Sequence, residues 1–190
     1  MPKSGDQPES PPVVQYREAT EDDAGAIAAL HSDSWRRHYR GAFLDSYLDG
    51  DILPERLEVW TCRLSTPRSN QFTVCADLGG ETMGFAHTIF GSDPKWGALL
   101  DNLHVRSDHK RRGIGTELLA QTARALVRTR PSEGLHLWVL DQNIAAQAFY
   151  DARGGMRVET TLRGPFPGGG TSVGHRYFWA DPRHLVTEAS

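Results

Sequence analysis

Between Leu103 and Leu118 the chain reads Leu-His-Val-Arg-Ser-Asp-His-Lys-Arg-Arg-Gly-Ile-Gly-Thr-Glu-Leu, an order of residue types that few architectures can use. An apolar strand end runs into a short basic loop, two glycines and the start of an amphipathic helix. The first turn of a helix carries backbone N–H groups with no partner inside the helix. The helix dipole adds partial positive charge at the same end. Gly113 and Gly115 take away side chains, so the oxygens of an anion can approach the backbone. Lys110, Arg111 and Arg112 add full charges, and the arginines add bidentate donors. A diphosphate is the natural guest of such a loop.

The elements on either side place this loop in an α/β chain. Val13 to Arg17 forms a short strand, and Thr20 opens a helix with Asp23 as a partner in a weaker capping box. Ile27, Leu30, Trp35 and His38 follow at near-helical spacing. A second helix starts at Pro54, a favoured first-turn residue, with Leu57, Trp60 and Leu64 as its buried stripe. Gln71 to Ala76 and Thr82 to Phe90 are strands joined through Leu78-Gly79-Gly80-Glu81, a glycine pair suited to a tight hairpin. Ala98 to Val105 is a third consecutive strand, and Gly115 to Arg130 an amphipathic helix. Leu135 to Leu140 is an apolar run of the kind a buried central strand needs. A helix over Asn143 to Arg153 and strands at Met156 to Arg163 and Val173 to Ala180 complete the chain. Consecutive strands mixed with helices in this order predict a mixed, twisted sheet of about seven strands with helices on both faces.

A length of 190 residues suits one domain. The proline-rich stretch 1–12 reads as a disordered tail, 13–184 as the domain and 185–190 as a second tail. Lys plus Arg is 21 and Asp plus Glu is 24, a net charge of −3, which argues against a nucleic-acid partner. No apolar run approaches the roughly 18 residues of a membrane span. Cys62 and Cys75 form no disulfide framework, and no histidine or cysteine spacing predicts a metal site. They read as small buried residues. Without an apolar export segment at the start of this sequence, the expected compartment is the cytoplasm.

Two familiar phosphate loops fail on the residues. A Walker A loop needs Gly-x-x-x-x-Gly-Lys-Ser/Thr, which is absent, and a dinucleotide fingerprint needs a third glycine where Leu118 stands. The chain instead resembles the GNAT superfamily of N-acetyltransferases. Lys110-Arg111-Arg112-Gly113-Ile114-Gly115 is similar to that family's Gln/Arg-x-x-Gly-x-Gly/Ala signature, with Lys at its first position. Leu103-His104-Val105 resembles the preceding Leu-x-Val strand. Asn143 to Tyr150, followed by Gly154-Gly155, resembles the downstream Asn…Phe-Tyr motif. Trp35, Tyr39-Arg40-Gly41 and Tyr47-Leu48 resemble a bacterial subgroup. The likeness spans about Val13 to Ala180.

This resemblance implies acetyl-CoA as co-substrate and a primary amine, on a small molecule or on a peptide or protein, as acceptor. It implies a homodimer as a common assembly. It assigns the CoA site to Leu103, His104, Val105, Lys110, Arg111, Arg112, Gly113, Ile114, Gly115, Thr116, Asn143, Ala146 and Tyr150. It makes Tyr150 the acid that protonates the departing thiolate, and puts Trp35 and Tyr39 on the acceptor wall. Many members carry Glu where Leu99 stands. Strand residues 99 and 101 point the same way, so Asp101 is the expected relay for the amine proton. His87 and His104 are rival bases, and His31 and His38 read as surface or pocket-edge residues. The plainer alternatives are an Asn143 that only caps its helix, a Tyr150 that only fills core, and a Trp35–Tyr39 pair that only shares a packed helix face. The Gly164–Ser172 segment is long enough for a lid. A non-catalytic acyl-CoA sensor and a transferase of longer acyl groups fit the same signature.

Overall fold

The computed structural model describes residues 12–186, so most of the expected N-terminal tail lies outside the described residues. β1 (Gln15–Glu18) leads through a 3-10 turn (Glu21–Asp23) into α1 (Ala24–His38). Asp23 shapes that turn: its carboxylate accepts the Thr20 backbone N–H at 2.7 Å and the Arg17 guanidinium at 2.7 and 2.8 Å. A four-residue α2 (Asp45–Leu48) and α3 (Leu53–Ser65) follow. β2 (Gln71–Leu78) and β3 (Glu81–Asp93) are joined by Gly79 and Gly80, with φ of 60° and 84°. Two successive positive φ angles match the twist of a tight hairpin, and glycine adopts them without strain. Next come β4 (Gly97–Val105), α4 (Ile114–Thr129), β5 (Leu135–Leu140), α5 (Ile144–Asp151), β6 (Met156–Arg163) and β7 (Ser172–Trp179).

The seven strands form one sheet in the order β1-β2-β3-β4-β5-β7-β6. β4 and β5 are parallel, and the other neighbours are antiparallel. Alternation sends side chains to two cores. Val74, Ala76 and Ala86 join Leu118, Leu119 and Leu126 under α4. Cys75 and Phe85 face the other way, to Ile27 of α1 and Trp60 of α3.

Three sequence expectations need correction here. The buried face of α3 includes Arg56 and Trp60, while Leu57 is 42% exposed. The Arg56 guanidinium lies 4.3 Å from the centre of the Trp35 ring, so a charged side chain does the covering that the periodicity assigned to leucine. Cys62 is exposed, whereas Cys75 is buried. His31 is buried, not superficial, and its Nδ1 accepts the Trp60 indole N–H at 2.9 Å. At the C-terminal end, Leu185 lies in a 3-10 turn (Pro182–Leu185) and is buried in the α4 core.

The Gly164–Ser172 segment is docked rather than free. Phe166 stacks on Phe43 with ring centres 4.9 Å apart. A Cβ added at Gly168 would run into the Tyr47 side chain, and one at Gly170 into the Ala42 carbonyl; both residues have positive φ. Strain and overlap act together at these positions. Gly170→Ala should therefore cost about 2 kcal/mol in urea unfolding, well above a typical surface substitution. A change below about 0.5 kcal/mol would show that the loop detaches freely.

Candidate active site

β4 and β5 pair only at Ala98–Leu135 and Leu99–His136. Beyond Leu99 the two strands part, and the β5-facing edge of β4 has no strand partner among the described residues. A β-bulge accompanies the parting. The register of β3 on β4 shifts between His87, opposite Asn102, and Thr88, opposite Leu100, so Asp101 is the extra residue. Such an insertion bends its strand and frees it from regular pairing. The gap opens into a cavity of about 790 Å³ bounded by β4, β5, the end of α1, the first turn of α4 and α5.

The basic loop closes one end of this cavity. Gly113 is the N-cap of α4, with φ of 82°, in the left-handed region. A Cβ there would meet nothing within 4 Å, so the position needs glycine for its backbone angle rather than for room. At Gly115 a Cβ would make ordinary contacts, 3.5 Å from Phe149 and 3.7 Å from Val105. Lys110, Arg111, Gly113, Gly115 and Thr116 border the cavity, and Arg112 does not. Ile114 does not border it either, its side chain being buried in the α4 core. Lys110 Nζ donates to His38 Nε2 at 2.8 Å, a contact that joins the loop to the end of α1. Burial, helped by the neighbouring cations, holds both groups below their ordinary pKa.

Further in, Leu103, His104, Val105, Asn143, Ala146 and Tyr150 line the same space. Asn143 caps α5, its side-chain oxygen accepting the Ala146 N–H at 3.2 Å. Tyr150 is buried among Phe149, Tyr177 and Trp179, with ring centres 5.2 to 5.9 Å away. Its hydroxyl has no hydrogen-bond partner among the described residues, yet it is not sealed off, so it opens to the cavity. Burial pushes this hydroxyl well above the usual tyrosine range, and nearby Tyr39 adds to the shift. Tyr39 itself is pushed up to about 12, by burial and then by the charge of Asp101. Tyr150, Tyr39 and Asp101 thus line one space.

The Trp35–Tyr39 pair is split by depth. Tyr39 reaches the cavity, whereas Trp35 lies a layer behind it, packed on His31, Tyr39 and Phe43. Asp101 lines the cavity with its carboxylate engaged by Arg63 at 3.0 Å and Asn102 at 2.7 Å. The two rival histidines also separate. His87 is sealed against Trp60, with Nδ1 bonded to Thr73 and Nε2 unpartnered, outside the cavity lining. His104 lines the cavity, and its Nδ1 lies 2.7 Å from Ser34 Oγ.

The sequence reading missed Ser34 and Arg153. Ser34 lies three and four residues from His31 and His38, so helical spacing was the available signal. Arg153, three residues after Tyr150, stacks 3.7 Å from the centre of the Phe149 ring. It donates to the Phe149 carbonyl at 2.9 Å and to the Thr116 hydroxyl, tying α5 to the first turn of α4.

A sheet split around a cavity that ends on a glycine-capped helix start is a scaffold for a long ligand with an anionic head. Comparison with known proteins places it. The profile of the acetyltransferase (GNAT) family matches residues 26–155. The probable N-acetyltransferase Rv2775 of Mycobacterium tuberculosis is 32% identical over 75% of this chain and 80% of that protein. The uncharacterized N-acetyltransferase YuaI of Bacillus subtilis is 30% identical over 77% and 82%. Among solved structures, the PaiA N-acetyltransferase of Thermoplasma acidophilum in complex with coenzyme A superposes with a TM-score of 0.67 at 18% identity, covering 86% of this chain and 98% of that one. An N-acetyltransferase from Staphylococcus aureus gives 0.67 at 15% identity, over 90% and 99%. The chain belongs to the acetyltransferase (GNAT) family and is an acyltransferase.

Proposed function

We propose that this enzyme transfers the acetyl group of acetyl-CoA directly to a primary amine of a small molecule or peptide. The observation that carries the reading is the free edge of β4, which starts beyond Leu99 and leads to the N-terminus of α4 at Gly113. An extended pantetheine satisfies such an edge as an added strand would. Leu103, His104 and Val105 offer backbone groups to it, and Asn143 and Ala146 line the same space. The diphosphate falls to Lys110, Arg111 and the backbone of Gly113 to Thr116.

In the reaction the amine nitrogen bonds to the thioester carbon and the carbon–sulfur bond breaks, its electron pair leaving with sulfur. Tyr150 protonates the sulfur, and Asp101 passes on the proton lost by nitrogen through water. A backbone N–H of β4 near His104 polarises the carbonyl. Tyr39 forms part of the acceptor wall, with Trp35 supporting it from behind. Holding both reactants in one cleft supplies much of the acceleration.

A thiol-release assay with acetyl-CoA over a panel of amines and peptides tests the reaction; CoA binding with no release for any amine would make the chain a sensor instead. Faster release from a longer acyl-CoA would change the donor. The cavity lining makes a sharper prediction about the loop. Arg111→Ala should weaken CoA about tenfold in calorimetry, and Arg112→Ala less than about threefold, since only Arg111 borders the cavity. Equal losses would show that charge near the loop, not contact, governs binding.

A further inference from the structure

His104 and Ser34 form a bonded pair on the acceptor side of the cavity. We propose that His104 Nε2 receives the N–H of the acceptor amine, with Ser34 as the residue that positions the ring, and that the site therefore favours amines of low basicity over polycations. The proposal rests on the acetyl-transfer reading and adds the group that docks the acceptor.

Three observations support it. Ser34 Oγ and His104 Nδ1 are 2.7 Å apart, which engages one ring nitrogen. Nε2 has no partner among the described residues and is not enclosed, so it opens to the cavity that both residues line. The ring itself is held: it lies 4.9 Å from the His31 ring and 5.3 Å from Phe85. His104 pairs with Phe85 across the sheet, which sends its side chain to the α1 face, where Tyr39 also stands. Burial, then the charges of His38 and Lys110, lowers its pKa to about 3. The imidazole is therefore uncharged at working pH. In the tautomer whose Nδ1–H donates to Ser34 Oγ, the lone pair on Nε2 accepts an amine N–H and aims the amine's own lone pair at the thioester carbon, while the proton finally lost leaves by way of Asp101.

The charge around this face sets the substrate class. Asp101 is the one carboxylate in the cavity lining among the described residues, and Arg63 already neutralises it at 3.0 Å. Nothing there offsets the desolvation of an ammonium, so an amine that is partly uncharged at neutral pH enters at lower cost. An α-amine, with a pKa of about 8, meets that condition better than a lysine-type amine near 10.4.

The experiment combines kinetics with a binding readout. A tripeptide with a free α-amine, Nα-acetyl-lysine amide and spermidine serve as acceptors for wild type, His104→Phe and Ser34→Ala. His104→Phe should lower kcat/KM for the tripeptide about a hundredfold and Ser34→Ala about tenfold, with CoA affinity unchanged within about threefold. Adding Ser34→Ala to His104→Phe should cost nothing more, because the pair acts through one ring. In the CoA complex, the 15N resonances of the His104 ring should shift on tripeptide titration, a signal that does not depend on turnover. Should His104→Phe not fold, Ser34→Ala and the resonances still decide. Kinetics within threefold of wild type, ring signals that ignore a bound tripeptide, or a preference for spermidine would each overturn the proposal. Failure of acetyl transfer itself would appear separately, as absent thiol release with the ring shift intact.

Discussion

Tyr150→Phe should lower kcat about a hundredfold and kcat/KM by a similar factor, with the CoA dissociation constant unchanged within about threefold. The variant is clean for a structural reason. The tyrosine ring fills a gap among Phe149, Tyr177 and Trp179, and phenylalanine keeps that packing. The hydroxyl has no protein partner among the described residues, so its removal leaves no orphaned donor or acceptor behind. Stability should therefore change by less than about 1 kcal/mol. The expected loss comes from chemistry: a thiolate leaving a buried site needs a proton at the moment the carbon–sulfur bond breaks. Burial holds the Tyr150 proton in place at any working pH, so the group arrives protonated. A variant with unchanged kcat would show that solvent protonates the sulfur and that Tyr150 serves packing alone. Arg153 offers a contrast, because it ties α5 to α4 beside the loop.

The parts of this site that could be read from the sequence are those set by local rules. The bounds of β5 follow from an apolar run and those of β6 from the glycines on either side of it, and both strands have the expected limits. The loop at 110–115 is legible because glycine and charge at a helix start have few other uses. Depth and facing are not local properties. Trp35 and Tyr39 share a helix face, yet only neighbouring elements decide which of them reaches the cavity. Arg56 covers Trp35 because a guanidinium can stack on an indole, a role that a hydrophobic count assigns to Leu57. The bulge at Asp101 breaks the alternation on which the comparison with Leu99 relied, so its place in the cavity follows from register, not from strand period. Ser34 meets His104 across 70 residues of chain, a contact set by the packing of α1 on the sheet.

Acidification should unfold this protein earlier than its carboxylates alone would. His31, His87 and His104 are held neutral by burial, with His87 lowered to about 4, His104 to about 3 and His31 strongly lowered. In the unfolded chain each returns to about 6.5. Between those values the unfolded state binds protons that the folded state refuses, so stability rises with pH across the window and falls as pH drops through it. The contribution is complete above about pH 6.5 and is lost progressively toward pH 4 and 3. Each histidine adds up to about 1.4 kcal/mol per pH unit, so three together approach about 4 kcal/mol per unit between pH 5.5 and 4.5. A domain stable by about 5–15 kcal/mol cannot absorb that for long. Asp23, lowered by its hydrogen bond to Arg17, loses its contribution only below about pH 4, so the two effects separate on the pH axis. Urea unfolding at half-unit steps from pH 7.5 to 4.5 measures the slope. His87→Gln, which removes one titrating ring outside the cavity, should reduce it by about a third. A flat profile between pH 6 and 5 would mean that protonated rings are tolerated on the α1 face, and the neutral His104 on which acceptor docking depends would go with it.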